Sequence, residues 1–315
     1  MLWAIFPIFA QIFYTTGGYI QNFLTDKALP PKRGGALVLT HLPAFLITIV
    51  ILFSFFGRVV FVMPLWNAIG LVVAGSINIF GSIYYYKALQ VGDAADVNIF
   101  SQLSPLIALG LGVAILGESV STMQGIGLLL IMAAALLVVF GNANKKERRS
   151  PNLKVAVLTI IYAFFSILSD IIYAFAVKGF TADLMLLGRG MFFFEIGSAL
   201  TVIVIFICSP SWRKALRTGF INSKNRNRNL LGSIGDNLTF MLGELIYKYG
   251  LLVVPVVAMM SAVGKVTSLF LSLFFTIFVG KIFPKFVHGK RLTKRMLANY
   301  LFAAVLIVVG IMIMN

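Results

Sequence analysis

Charged side chains are scarce in this chain. They make up 11% of its 315 residues, where a soluble globular domain carries about 25%. With 60% of residues hydrophobic, the composition excludes a water-soluble enzyme. Acidic residues are scarcer still, 10 against 26 Lys and Arg, for a net charge of +16. Cysteine occurs once, as Cys208, which excludes an intramolecular disulfide and a multi-Cys metal site. Only two histidines are present, and there is no HExxH, GxSxG or Walker loop. Enzymatic activity, a bound metal, a cofactor and ATP-driven pumping within this chain are therefore not expected.

What the sequence has in abundance is long apolar runs. A helix needs about 20 apolar residues to cross the hydrocarbon core, and ten stretches qualify. They run from Leu2 to Leu24, Ala36 to Phe56, Leu65 to Tyr86, Asp96 to Leu116, Met123 to Gly141, Val155 to Val177, Leu184 to Cys208, Leu230 to Tyr247, Leu251 to Val279 and Met296 to Met314. The first lacks the basic leader and small-residue cleavage site of a signal peptide, so it reads as a retained helix.

The basic residues are distributed unevenly between the connections. Those after the first, third, fifth, seventh and ninth stretches hold nearly all of them, including Lys145, Lys146, Arg148 and Arg149, the run from Arg213 to Arg228 and the run from Lys281 to Arg295. The opposite connections hold only Arg58, Lys178 and Lys248, and Arg189 and Lys265 lie inside stretches. By the positive-inside rule this bias puts the rich side in the cytoplasm and both termini outside. The same runs suit anionic lipid head groups. Nucleic acid is not an expected partner.

The polar connection NANKKERRSPNLK, Asn142 to Lys154, divides the stretches five and five. An odd number per half inverts the second half relative to the first, the plan of many secondary transporters. The expected organisation is a first five-helix repeat over 1–141, a basic linker over 142–154 and an inverted second repeat over 155–315. Sliding the first half by 148 puts Asn22 over Asp170 and His41 over Arg189. Sliding by 160 puts Ser76 over Asp236, Tyr84 over Glu244, Ser101 over Ser261 and Pro105 over Lys265.

From Ile83 to Phe140 the sequence reads IYYYKALQVGDAADVNIFSQLSPLIALGLGVAILGESVSTMQGIGLLLIMAAALLVVF. An aromatic helix end with a Lys-Ala-Leu step, a helix with central Pro105, the Gly117-Glu118 turn, then Gly125 and Gly127 together resemble the drug/metabolite transporter superfamily, in particular its EamA-type ten-helix members. The second half matches less: Arg189 stands where the family often has an Arg, but Lys265 replaces the expected Pro and no Gly-Glu turn follows the ninth stretch. The resemblance implies cytoplasmic termini, opposite to the charge bias, and a bacterial-type cell membrane.

Ionisable groups inside a span cost at least about 2.5 kcal/mol each on insertion scales and so mark the protein interior. Here they are His41, Asp170, Arg189, Glu195, Asp236, Glu244 and Lys265. Asp170 and Arg189 fall at similar depth on adjacent spans, which predicts an ion pair acting as clamp or gate. Lys265 and Glu195 lie mid-span, where carriers hold substrate, and Lys265 is read as a substrate or coupling residue or as the fixed partner of Glu244 or Glu195. Asp236 and Glu244, eight positions apart, can line one cavity, although Asp236 lies nearer an end. Of Tyr84, Tyr85 and Tyr86 at least one faces inward, and Tyr84 is a cation–π candidate. His41 is a possible proton relay or a hydrogen-bonded interior histidine, and Pro105 is a helix break. Gly17 with Gly18, Gly70 with Gly75, and Gly110 with Gly112 suit close helix packing.

The expectation is an all-α membrane protein of ten transmembrane helices in two inverted five-helix repeats. Its function is secondary transport, driven by a substrate or proton gradient, of an amino acid, amine or similar small amphipathic solute, read as export. The alternatives are a lipid-linked-intermediate flippase and a carrier of sugar phosphates or nucleotide sugars. The partners are a small-molecule substrate and the bilayer, with the chain a monomer or a homodimer.

Overall fold

The computed structural model describes residues 2–92, 97, 100–141, 153–254, 256–275 and 294–314. The basic cluster Lys145 to Arg149 and most of the run from Lys281 to Arg295 lie outside the described residues. Those described are mostly helical, with no strand among them. The longer helices are α1 (Ile5–Phe23), α2 (Leu42–Phe56), α3 (Leu65–Val91), α4 (Ser104–Leu111), α5 (Thr122–Gly141), α6 (Leu153–Val177), α7 (Leu184–Cys208), α8 (Arg226–Val253), α9 (Val257–Phe274) and α10 (Lys294–Met314). Four described stretches, Gly34–Phe61, Leu65–Val91, Leu153–Val177 and Leu184–Cys208, are long and apolar enough to cross a bilayer by themselves.

Local chemistry sets where the helices start and stop. Gly34–His41 is a tight 3-10 helix, and the α-helix begins only at Leu42, because Pro43 has no N–H to continue the ladder and is tolerated in a first turn. Pro105 plays the same part in α4, which restarts at Ser104 after a turn at Gln102 and Leu103. At its far end α8 runs to Val253 and stops where Val254 turns extended ahead of Pro255 in the sequence. This helix is longer at both ends than the apolar run suggests. It therefore draws Lys248 into the interior, where the sequence reading has a loop lysine. The run from Arg213 to Arg228 is not a simple loop either: Pro210–Leu216 and Arg217–Ile221 are helical and bury Ala215 and Phe220.

α1 packs on α8 and α9, α6 on α3 and α4, α2 on α7, α4 on α9, and α5 on α10, while α3 also packs on α7. The α3–α7 crossing is backbone to backbone. A Cβ added at Gly75 would strike the Phe194 carbonyl, and one at Gly197 the Val72 carbonyl. Ser198 Oγ donates to Gly75 O and Ser76 Oγ to Gly197 O, both at 3.3 Å. Gly17 likewise lets α1 approach Thr239 of α8, but Gly110 faces open space and serves no such purpose. Outer faces carry large apolar groups such as Ile47, Val50, Phe302 and Val305, as contact with lipid requires. Trp66 is 81% exposed at the start of α3, whereas Trp3 is buried.

The Gly117-Glu118 turn links the halves. Gly117 adopts φ +64°, a left-handed conformation that ends the preceding helix without Cβ strain. Glu118 then extends across the bundle and accepts the Val257 N–H at 3.0 Å, capping the positive start of α9. Partial burial raises the Glu118 carboxyl above the ordinary carboxylate range, and the Val257 amide and nearby Lys178 oppose that rise. Glu118→Ala is expected to lower stability by about 1 kcal/mol, the usual worth of a cap, readable as a lower midpoint in detergent unfolding. An unchanged midpoint would show that the cap is dispensable.

Candidate functional site

A cavity of about 180 Å³ lies between α1, α3, α6, α8, α9 and the segment entering α4. Its wall is dominated by neutral polar groups. Tyr14, Tyr19, Tyr85, Tyr86, Tyr162 and Tyr247 supply phenols, Ser82, Ser101, Ser104, Ser166, Ser261 and Ser268 hydroxyls, and Gln11, Gln21 and Asn78 amides. Three charged residues reach the wall: Asp170, Glu244 and Lys265.

Asp170 does not pair with Arg189. Its Oδ1 accepts from Lys248 Nζ at 2.6 Å, and Lys248 also stands 3.7 Å from Glu244 Oε2, one turn earlier on α8. Lys248 is 1% exposed and lies over the rings of Phe194 and Tyr173, 4.5 and 5.0 Å from their centroids. The physical reason for the correction is the length of α8, which delivers a cation beside Asp170 from within the wall. Arg189, half-buried on α7, has its Nε without a hydrogen-bond partner.

Lys265 lines the cavity with Nζ 5.8 Å from the Tyr162 ring, and no carboxylate lies within ion-pair distance of it among the described residues. It is thus not the fixed partner of Glu244 or Glu195. Glu195 is buried behind the wall, not in it, with Oε2 lacking a hydrogen-bond partner. At the cavity, Asp170 and Glu244 thus meet Lys265 on the wall and Lys248 just behind it, two acids against two lysines.

Asp236 is also off the wall, and at 0% exposure it is not solvated despite lying nearer the helix end. Its Oδ1 accepts from Gln21 Nε2 at 2.7 Å, and its Oδ2 lies 3.5 Å from His41 Nε2. His41 is an interior histidine whose Nε2 shares a 2.6 Å hydrogen bond with Tyr86 Oη. Among the three consecutive tyrosines of α3, Tyr85 and Tyr86 face the cavity. Tyr84 points elsewhere, stacked on Phe165 with Lys87 Nζ above it. Consecutive helical positions are about 100° apart, so which of the three turns inward is decided by packing. Lys248 as an interior cation, and Tyr14, Tyr19, Tyr162 and Tyr247 as wall residues, escaped the sequence reading. The available signal was the i, i+4 spacing of Glu244 and Lys248, which places the two one above the other on a helix.

An apolar helical bundle around a polar, ion-lined chamber is the arrangement of membrane proteins that handle small solutes. Residues 1–140 match the model of the EamA-like transporter family. A protein known from a crystal structure shares the fold with a TM-score of 0.54 and 16% identity, covering 96% of this chain and 95% of its own. That likeness extends to both halves, where the family match covers the first. No curated protein matches the chain.

Proposed function

We propose that this chain is a secondary transporter, working by alternating access through ten membrane helices in two inverted five-helix repeats, and that its substrate is a small zwitterion of the amino-acid class. The repeat boundaries are those of the sequence, 1–141 and 155–315 with the linker between. Helix pairing supports the repeat. Advancing every label by five carries α1 on α8 into α6 on α3 and α1 on α9 into α6 on α4, and it maps α2 on α7, α4 on α9 and α5 on α10 onto themselves. The cavity wall follows the same exchange. A shift of 148 carries Tyr14 onto Tyr162, Gly18 onto Ser166 and Tyr19 onto Ile167, all lining residues. A shift of 162, two more than the sequence alignment used, carries Asn78 onto Phe240, Ser82 onto Glu244 and Tyr85 onto Tyr247.

The observation that carries the substrate class is the charge at the cavity, where Asp170 and Glu244 face Lys265 on the wall and Lys248 just behind it. Lys265, with no carboxylate of its own, suits a substrate carboxylate. Glu244, whose Oε2 has no hydrogen-bond partner, and the surrounding phenols suit an ammonium group. A doubly charged phosphate would need more free cations than Lys265 alone.

The test is a thermal-unfolding screen of the purified full chain against amino acids, amines, sugar phosphates and nucleotide sugars. A binder at a hundred times its dissociation constant adds about 2.7 kcal/mol to the folded state. Stabilisation by amino acids, weakened in Lys265→Gln, is the expected result. Stabilisation by phosphorylated compounds alone would overturn the substrate class, and silence across the panel would favour a lipid-linked substrate.

A further inference from the structure

We propose that Asp236 carries the proton that drives transport, and that the His41–Tyr86 pair passes its protonation state to the cavity wall; the proposal rests on the transporter reading above. Of the buried acids, Asp170 and Glu244 share Lys248 as a standing counter-ion. Asp236 has none: His41 Nε2, at 3.5 Å, is the one basic group within ion-pair reach of it among the described residues. A buried carboxylate without a firm cation is costly, and gaining a proton removes that cost. Gln21 occupies Oδ1 and leaves Oδ2 without a hydrogen-bond partner on the side of His41, where a carboxyl proton has room.

The surroundings of Asp236 are otherwise free of strong charge. The 3-10 helix contributes His41, α3 contributes Tyr85 and Tyr86, and α1 contributes the neutral Gln21. On α8 itself the nearest charged residues are Arg228, whose guanidinium lies over the Phe23 ring, and Glu244, each eight positions away. Glu195 also lacks a standing partner, but no hydrogen bond joins it to a lining residue among the described ones. Asp236 touches the wall through Gln21, and through His41 to Tyr86; both end residues line the cavity.

The relay follows from imidazole chemistry. When His41 Nε2 is bare, Tyr86 donates its O–H to it. When Nε2 takes the proton that Asp236 Oδ2 gives up, leaving carboxylate and imidazolium as an ion pair, it donates to Tyr86 Oη instead, and the phenol hydrogen is released to turn toward the cavity. One proton arrives from water on one side of the membrane, resides on Asp236 Oδ2, and leaves to water on the other. Only O–H and N–H bonds form and break.

The experiment uses the full chain in liposomes that enclose a pH-sensitive dye, with a mixture of the standard L-amino acids as probe. Two quantities are read: exchange of labelled for unlabelled amino acid, and amino-acid-dependent proton flux. Asp236→Asn is expected to hold exchange within about twofold of the wild type while proton flux falls by at least about tenfold, since only the coupling group is removed. Undiminished proton flux in that variant would overturn the proposal. Infrared difference spectra between acid and alkaline buffer, taken without solute, should show a carboxyl band lost in Asp236→Asn and displaced in Tyr86→Phe. If Asp236→Asn fails to fold, Tyr86→Phe carries both readouts, and an unchanged band with unchanged proton flux there overturns the relay. A wild type that moves no amino acid would defeat the substrate reading alone, with the infrared result still deciding whether Asp236 titrates.

Discussion

Lys248→Met is expected to destabilise the protein by about 3 kcal/mol and to abolish transport. Removing one member of a buried ion pair leaves the other charge unpaired, which costs about 3 to 5 kcal/mol in soluble proteins. The lower end applies here, because groups unfolded within a membrane also find partners. Two acids depend on this lysine, Asp170 at 2.6 Å and Glu244 at 3.7 Å. Methionine keeps the apolar contact with Phe194 and Tyr173 while deleting the charge, so the loss reports electrostatics and not packing. Adding Asp170→Asn to Lys248→Met should recover at least about 1 kcal/mol, a coupling that a double-mutant cycle resolves. If Lys248→Met unfolds in detergent at the wild-type midpoint, the Lys248–Asp170–Glu244 cluster does not stabilise the fold.

Gly197→Val is expected to be more disruptive to assembly. The obstacle at Gly197 is the Val72 carbonyl of α3, and at Gly75 the Phe194 carbonyl of α7. A side-chain tip can swing aside, but backbone in a helix cannot, so any Cβ at either site forces α3 and α7 apart. Separation breaks the two serine bonds across the crossing. Overpacking costs about 1 to 3 kcal/mol where side chains can adjust and more where they cannot. The measurable outcome is a loss of monodisperse protein on size exclusion. Gly110→Ala is the control: nothing lies within 4 Å of the added atom, so yield and midpoint should hold. Equal behaviour of the two variants would refute the close crossing.

Much of the fold was legible because a bilayer imposes a simple rule on sequence. Apolar runs of spanning length must be helices, since no other element satisfies its own backbone in hydrocarbon. The pattern from Ile83 to Phe140 was enough to suggest the superfamily. The positions of Pro43 and Pro105 explain where helices restart, because each lacks the N–H that continuation needs. The site was legible only as a set of residue types. Asp170, Glu195, Asp236, Glu244, Lys265 and His41 stand out as ionisable groups in apolar runs, yet their partners do not. Asp170 and Arg189 matched in depth, and depth is what a hydropathy reading measures. It does not give the angle around the helix axis, and that angle sends Asp170 to Lys248. Tyr84 failed for the same reason, being one position short of the residues that turn inward.

What the sequence determined by itself is the solvent this chain lives in, the helical class and the inventory of charges placed inside it. These follow from composition and run length, which are additive along the chain. Only the tertiary structure decided which charges meet. It made Lys248 an interior cation by extending α8 past the apolar run. It also placed Asp236 behind the wall and Lys265 in it, and set Glu118 of the first half to cap a helix of the second. Each of these depends on rotation about a helix axis and on contacts between residues far apart in the chain, which no local pattern encodes.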